Sequence, residues 1–143
     1  MSKATASRFL LDTNIVSDLV RRPQGTIAAR IAAEGEASIC TSIVVAAELR
    51  FGAAKSGSRR LRAQVDAVLA VMDVLPLAPP VDAHYADIRH KLERSGLPIG
   101  PNDMLIAAHA RASGCIVVTG NLREFRRVPR LKTVNWLIDQ GDR

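Results

Sequence analysis

The chain has 143 residues, of which 48% are hydrophobic, 24% charged and 3% aromatic, with 9 Gly, 7 Pro and 2 Cys. Such apolar content excludes a disordered chain, and no window of about 18 apolar residues free of charge offers a membrane span. Twenty Lys and Arg against 14 Asp and Glu give a net charge of +6, which favours an anionic partner, with nucleic acid first among the candidates.

Short apolar runs alternate with helical patterns along the chain. Residues 8–11 (RFLL) predict a first strand, and Ile15, Leu19 and Val20 fit the helix after it. A second helix covers 27–33, and residues 38–41 predict a second strand. Ser42 is placed to cap a helix running through IVVAAELRFGAAK. The polar run 55–60 reads as a loop. Leu61, Val65, Val68 and Leu69 recur at three- and four-residue steps, the mark of an amphipathic helix. Residues 73–77 predict a strand that Pro76 demotes to an edge. A helix over 81–94 follows, and Pro101 opens another that Gly114 ends. The β-branched run 115–119 is the strongest strand, and 131–136 is the last.

Strands separated by helices, without hairpin turns, predict one α/β domain over residues 1–143. Its expected form is a three-layer helix–sheet–helix stack around a central parallel sheet. In such sheets ligands sit beyond the carboxyl ends of the strands. The amino terminus shows no secretory pattern, so the cytoplasm is the expected compartment.

Asp12, Glu48 and Asp103 differ from the other acids in their settings. Asp12 follows FLL at the end of the first strand, Glu48 lies inside IVVAAEL, and Asp103 opens a helix that continues MLIAA. Asp73 is also flanked by apolar residues but falls at the opposite end of its strand. Asp18, Glu34, Glu36, Asp66, Asp82, Asp87, Glu93, Asp139 and Asp142 read as solvated charges. An ionised carboxylate in an apolar setting is costly. Two of them about 4 Å apart repel by roughly 4 kcal/mol at an effective dielectric near 20. A divalent cation removes that repulsion, and oxygen donors without a His cluster favour Mg²⁺ or Mn²⁺ over zinc. Individually, Asp12 could instead cap a helix, Asp103 could serve a helix dipole, and Glu48 could pair with an Arg.

Asn121 follows CIVVTG just past the strongest strand, where it and Thr119 could orient a water or a ligating carboxylate. His84, His90 and His109 are too scattered to ligate together, and Cys40 and Cys115 read as small buried hydrophobes. Two basic clusters remain. Lys55, Arg59, Arg60 and Arg62 form one, and Arg123, Arg126, Arg127 and Arg130 the other, close to Asn121. A basic rim around an acidic metal pocket suits phosphodiester cleavage. With so few aromatics, the main grip on nucleic acid would be phosphate contacts.

Four blocks carry a family resemblance: FLLDTNIVSDL at 9–19, IVVAAELRFGAAKS at 43–56, LPIGPNDMLIAAHARASG at 97–114 and IVVTGNLREFRRVPRLKTVNW at 116–136. In these the sequence resembles the PIN-domain ribonucleases, and within them the toxins of VapBC toxin–antitoxin modules. The resemblance implies an acidic quartet that holds Mg²⁺ or Mn²⁺, its positions matched by Asp12, Glu48, Asp103 and Asn121. Asp12 and Asp103 would contact the metal, Glu48 would complete the pocket, and Asn121 would position water or phosphate. Asn in the fourth position removes one negative charge, and Glu124 is close enough in sequence to substitute in part. The toxins often show Asn where this chain has Gly120. The resemblance further implies RNA as substrate, frequently tRNA, a small cognate antitoxin protein, and a homodimer.

Other readings lead elsewhere. A catalytically silent RNA-binding module would share the fold. An RNA-maturation nuclease without a toxin role would share the whole site. A haloacid-dehalogenase-type phosphatase would want a second Asp two residues after Asp12, where this chain has Asn14.

Overall fold

A computed structural model of the chain describes residues 7–138. Asp139 and Asp142, read above as solvated charges, lie outside the described residues. The elements run β1 (Phe9–Leu11), α1 (Thr13–Arg21), α2 (Thr26–Glu34), a 3₁₀ turn at Glu36–Ser38 and β2 (Ile39–Ser42). Then come α3 (Ile43–Ser56), α4 (Arg59–Val71), β3 (Val74–Leu75), α5 (Val81–Ser95), α6 (Pro101–Ala112), β4 (Ile116–Val118), α7 (Leu122–Phe125) and β5 (Thr133–Val134).

All described strands pair in parallel, in the order β3-β2-β1-β4-β5. The expected parallel sheet is therefore present, with the Pro76-flanked strand at one edge. Leu10 sits opposite Cys40 on one side and Val117 on the other, and all three are fully buried. This is why the central strands read as unbroken apolar runs. The chain steps outward from β1 to β3, then crosses back to β4 on the far side of β1. Right-handed crossovers in opposite directions send helices to opposite faces. Accordingly α1, α2, α3 and α4 pack among themselves, while α5 packs on α6. The reversal places a crevice beyond the carboxyl ends of β1 and β4.

Helix boundaries follow local chemistry. Ser42 caps α3 by accepting from the Val44 amide at 3.0 Å. The polar run 55–60 is a tighter break than a loop: α3 continues to Ser56, Gly57 adopts φ 70°, and Ser58 caps α4 through the Leu61 amide. Two successive helix signals thus leave only two residues between them. β4 and β5 are shorter than their apolar runs suggest, because β4 is flanked by turns and β5 is an edge. The short helix α7 carries no clear periodicity of its own and is anchored by Phe125, which is fully buried. Near the carboxyl end, Trp136 packs on Phe9 with ring centroids 5.0 Å apart, and the Arg30 guanidinium lies 5.8 Å from the same ring. No described helix is long and apolar enough to cross a membrane.

Candidate active site

Asp12 is the residue on which β1 ends and α1 begins. Its amide donates to the Val118 carbonyl at 2.9 Å, which ties the end of β1 to the end of β4. Its carboxylate does two local jobs: Oδ1 accepts from the Thr13 amide at 2.8 Å, and Oδ2 accepts from Thr119 Oγ1 at 2.7 Å. Thr119 is fully buried and also accepts from the Asn121 amide at 2.9 Å. The helix-capping reading of Asp12 is therefore correct, and it does not compete with a role in the crevice.

Glu48 reaches the same crevice from the side. It sits in the second turn of α3, held by Thr13 Oγ1 at one carboxylate oxygen and by Asn102 Nδ2 at the other, at 2.8 Å. No Arg pairs with it among the described residues. Asp103, in the first turn of α6, comes from the opposite side of the sheet reversal. With Asp12, Glu48, Asn102 and Asn121 it lines a cleft of about 940 Å³. Residues far apart in sequence thus line one cleft beyond the carboxyl ends of β1 and β4, where the strand order reverses.

The electrostatics match this convergence. Burial pushes the Asp103 carboxyl up to about 6, and repulsion from Asp12, Glu124 and Glu48 adds to the rise, while a hydrogen bond with Asn121 opposes it. Burial also raises Asp12, which is only 4% exposed, against the opposing bonds from Thr119 and Thr13. Glu124, on α7, is therefore within electrostatic reach of the cluster. Among the described residues, no ion pair involves any of these acids.

The donor set suits a hard divalent cation: carboxylate oxygens, neutral amides and hydroxyls, and no soft ligand. The described residues do not gather three acidic, His or Cys side chains into one ready chelating cluster. This narrows the convergence expected of the three acids to a shared cleft. Mg²⁺ commonly accepts such a site, taking one or two carboxylates and keeping several waters.

Sequence reasoning passed over Thr13 and Asn102, the two groups that fix Glu48. Thr13 lies within the quoted DTN block and Asn102 directly precedes Asp103, but their partner is 35 and 54 residues away, so no local pattern reveals it. Asn14 lines the cleft and accepts from the Gly120 amide at 3.2 Å. A β-carbon on Gly120 would stand 3.0 Å from Asn14 Nδ2 and 3.3 Å from Leu137 Cδ1. Of the basic residues near Asn121, Arg123 and Arg126 are exposed, Arg127 donates to the Pro98 carbonyl at 2.9 Å, and Arg130 reaches Asp87. His109 is a packing residue: buried, its Nδ1 is 2.7 Å from Ser42 Oγ. Cys40 and Cys115 are free thiols, both buried.

The family model for the PIN domain matches residues 9–131. The chain is 40% identical over 131 residues to ribonuclease VapC2 of Haemophilus influenzae, covering 91% of this chain and 98% of that protein. It is 38% identical over 130 residues to the tRNA(fMet)-specific endonuclease VapC of Shigella flexneri, covering 90% of this chain and 98% of that one. Among solved structures, VapBC2 from Rickettsia felis bound to a promoter DNA fragment superposes with a TM-score of 0.82 at 32% identity, over 90% of this chain and 98% of that chain. DNA-bound VapBC from Salmonella typhimurium gives 0.81 at 33% identity, over 92% and 99%. The chain belongs to the PIN-domain family and, within it, to the VapC ribonucleases.

Proposed function

We propose that this protein is a divalent-metal-dependent endoribonuclease, a single nuclease domain acting as the toxin of a toxin–antitoxin pair. Its substrate class is RNA, with tRNA foremost because relatives named as tRNA(fMet)-specific endonucleases align over nearly their whole length. Solved neighbours that are VapBC complexes support a small cognate antitoxin as partner. A homodimer is part of the same reading. The observation that carries the activity is the cleft in which Asp12, Glu48 and Asp103 meet without a protein cation.

In this reading Asp12 and Asp103 hold Mg²⁺, with Mn²⁺ as a substitute. A bound ion supplies Lewis acidity toward a phosphoryl oxygen and offsets the charge that develops there. Thr119 fixes the Asp12 carboxylate through the bond at Oδ2. Thr13 and Asn102 hold Glu48, which completes the pocket and orients a water. Asn121 positions that water or the scissile phosphate, and Arg123 and Arg126 meet the flanking backbone.

The test is cleavage of total RNA and of tRNA(fMet) by purified protein in Mg²⁺ or Mn²⁺, against EDTA and against Asp12→Asn. Cleavage that EDTA and the substitution both abolish is the expected result. RNA binding without any metal-dependent cleavage would instead favour the silent RNA-binding reading, to which the uncharged Asn121 points.

A further inference from the structure

The protein has five aromatic residues, and four have partners or are buried. Phe9 and Trp136 stack on each other, Phe125 is fully buried, and Tyr85 accepts from Arg89. Phe51 differs: it is 68% exposed, and its ring lines the acidic cleft. It stands three residues beyond Glu48 on α3, hence on the same side of the helix. Ile43 and Ala47 precede it at four-residue steps along one stripe, and Leu77 faces the same cleft from beyond β3. Ile43 and Leu77 are 44% and 43% exposed. One cleft is therefore lined both by the acids and by an apolar stripe that includes an exposed ring.

A ligand filling both parts must present an anionic group that a metal can bridge and, beside it, a flat apolar face. A nucleotide does both. Resting on the nuclease reading above, we propose that Phe51, backed by Leu77 and Ile43, is a stacking platform for one unpaired base next to the phosphodiester that the acids face. A base inside a duplex has both faces covered by its neighbours and cannot seat there, so the platform selects RNA that is unpaired at the cut. One ring does not carry binding as a whole, which falls to phosphate contacts; it fixes which nucleotide enters. A second copy of the chain on the same stripe is the rival occupant. It would lie across the mouth of the cleft, over the helix face that carries Glu48, and obstruct access.

The experiment maps the cut that the wild type makes in RNA, then uses an oligoribonucleotide spanning it. Steady-state rates are compared for wild type and for Phe51→Ala, Phe51→Leu and Phe51→Trp. Stacking on an aromatic ring contributes enough per base that Phe51→Ala should lower kcat/KM by about five- to a hundredfold, chiefly through KM. Phe51→Leu keeps apolar bulk without a ring and should lose most of the same factor, while Phe51→Trp should retain activity. Replacing the nucleotide beside the cut by an abasic one should remove the difference between wild type and Phe51→Ala. Equal kcat/KM for Phe51→Ala, or a loss that persists undiminished on the abasic substrate, overturns the platform. So does a change in oligomeric state by light scattering that accounts for the loss, which would assign the stripe to a second copy. A wild type that cuts no RNA sinks the nuclease reading itself, whereas a wild type that cuts with Phe51→Ala unaffected sinks only the platform.

Discussion

Two clusters of charge in this molecule treat carboxylates in opposite ways. On α5, Asp87 is ringed by cations: Arg111 at 2.7 Å, Lys91 at 3.1 Å and Arg130 at 3.4 Å. Bonds from Arg111 and Lys91 hold its carboxyl down at about 2. At the sheet edge, Asp12, Glu48 and Asp103 receive hydrogen bonds from neutral groups only, and burial with mutual repulsion lifts Asp103 to about 6. The chain has the Arg residues to neutralise its acids and does so at Asp87. In the cleft, among the described residues, no Arg or Lys pairs with the three acids. The sequence treats Asp87 as one more solvated acid, since its chief partner lies 24 residues away.

Breaking the cleft itself should have the largest effect. Asp12→Asn keeps the helix cap, because Asn caps as well as Asp, but removes the charge that the proposed mechanism assigns to holding the ion. RNA cleavage should fall about a thousandfold or more, with the circular dichroism spectrum unchanged. A variant that cleaves at the wild-type rate contradicts the assignment. Asp87→Ala breaks the other cluster and should do the reverse: it strands the Arg111 side chain, 5% exposed, without its carboxylate. The melting temperature should fall while cleavage per folded molecule stays constant; an unchanged Tm would mean that the Arg111 contact contributes nothing.

Smaller changes sharpen the contrast. Asn102→Leu or Thr13→Val should loosen Glu48 and reduce activity or metal affinity by about 10- to 100-fold, as loss of a supporting hydrogen bond typically does. Titration calorimetry with Mn²⁺ reads the affinity part. Asp103→Asn should make the metal-free protein more stable near pH 7 by about 1–2 kcal/mol after allowance for solvent screening. The sign follows from the raised carboxyl: the folded state binds this proton more tightly than the unfolded chain does. The stability from Asp103 is thus complete below about pH 4 and lost as pH rises through about 6. Urea melts should show the gap between variant and wild type closing on acidification over that window, and a gap that widens there would refute the electrostatic account. Asp87 runs the other way, its contribution present above about pH 4 and lost as pH falls through about 2.

Much of the architecture was legible in the residues because burial on both faces leaves a local mark. β1 and β4 announce themselves as FLL and IVV, and Gly114, with φ 68°, ends the helix before β4 as a residue free to adopt left-handed geometry should. Asp12 and Asp103 stand out because an acid beside a strand end or amid apolar residues is costly wherever it occurs. What stayed hidden depends on distant partners. The two donors on Glu48, the Arg111 and Arg130 guanidinium groups beside Asp87 and the short helix α7 are fixed by tertiary contacts that no short window along the chain contains, whereas Lys91, four residues on from Asp87 along α5, is a local partner.

Position 120 carries one more lesson, for anyone who would exchange segments between relatives. The bare backbone of Gly120 lets Asn14 close against it, and a methyl group there would fit only if the Asn14 and Leu137 side chains gave way slightly. Grafting in a turn with a larger residue at that point would push Asn14 or Leu137 aside and so reshape the entrance next to Asp12. The two positions are best swapped as a pair, though 106 residues of sequence separate them.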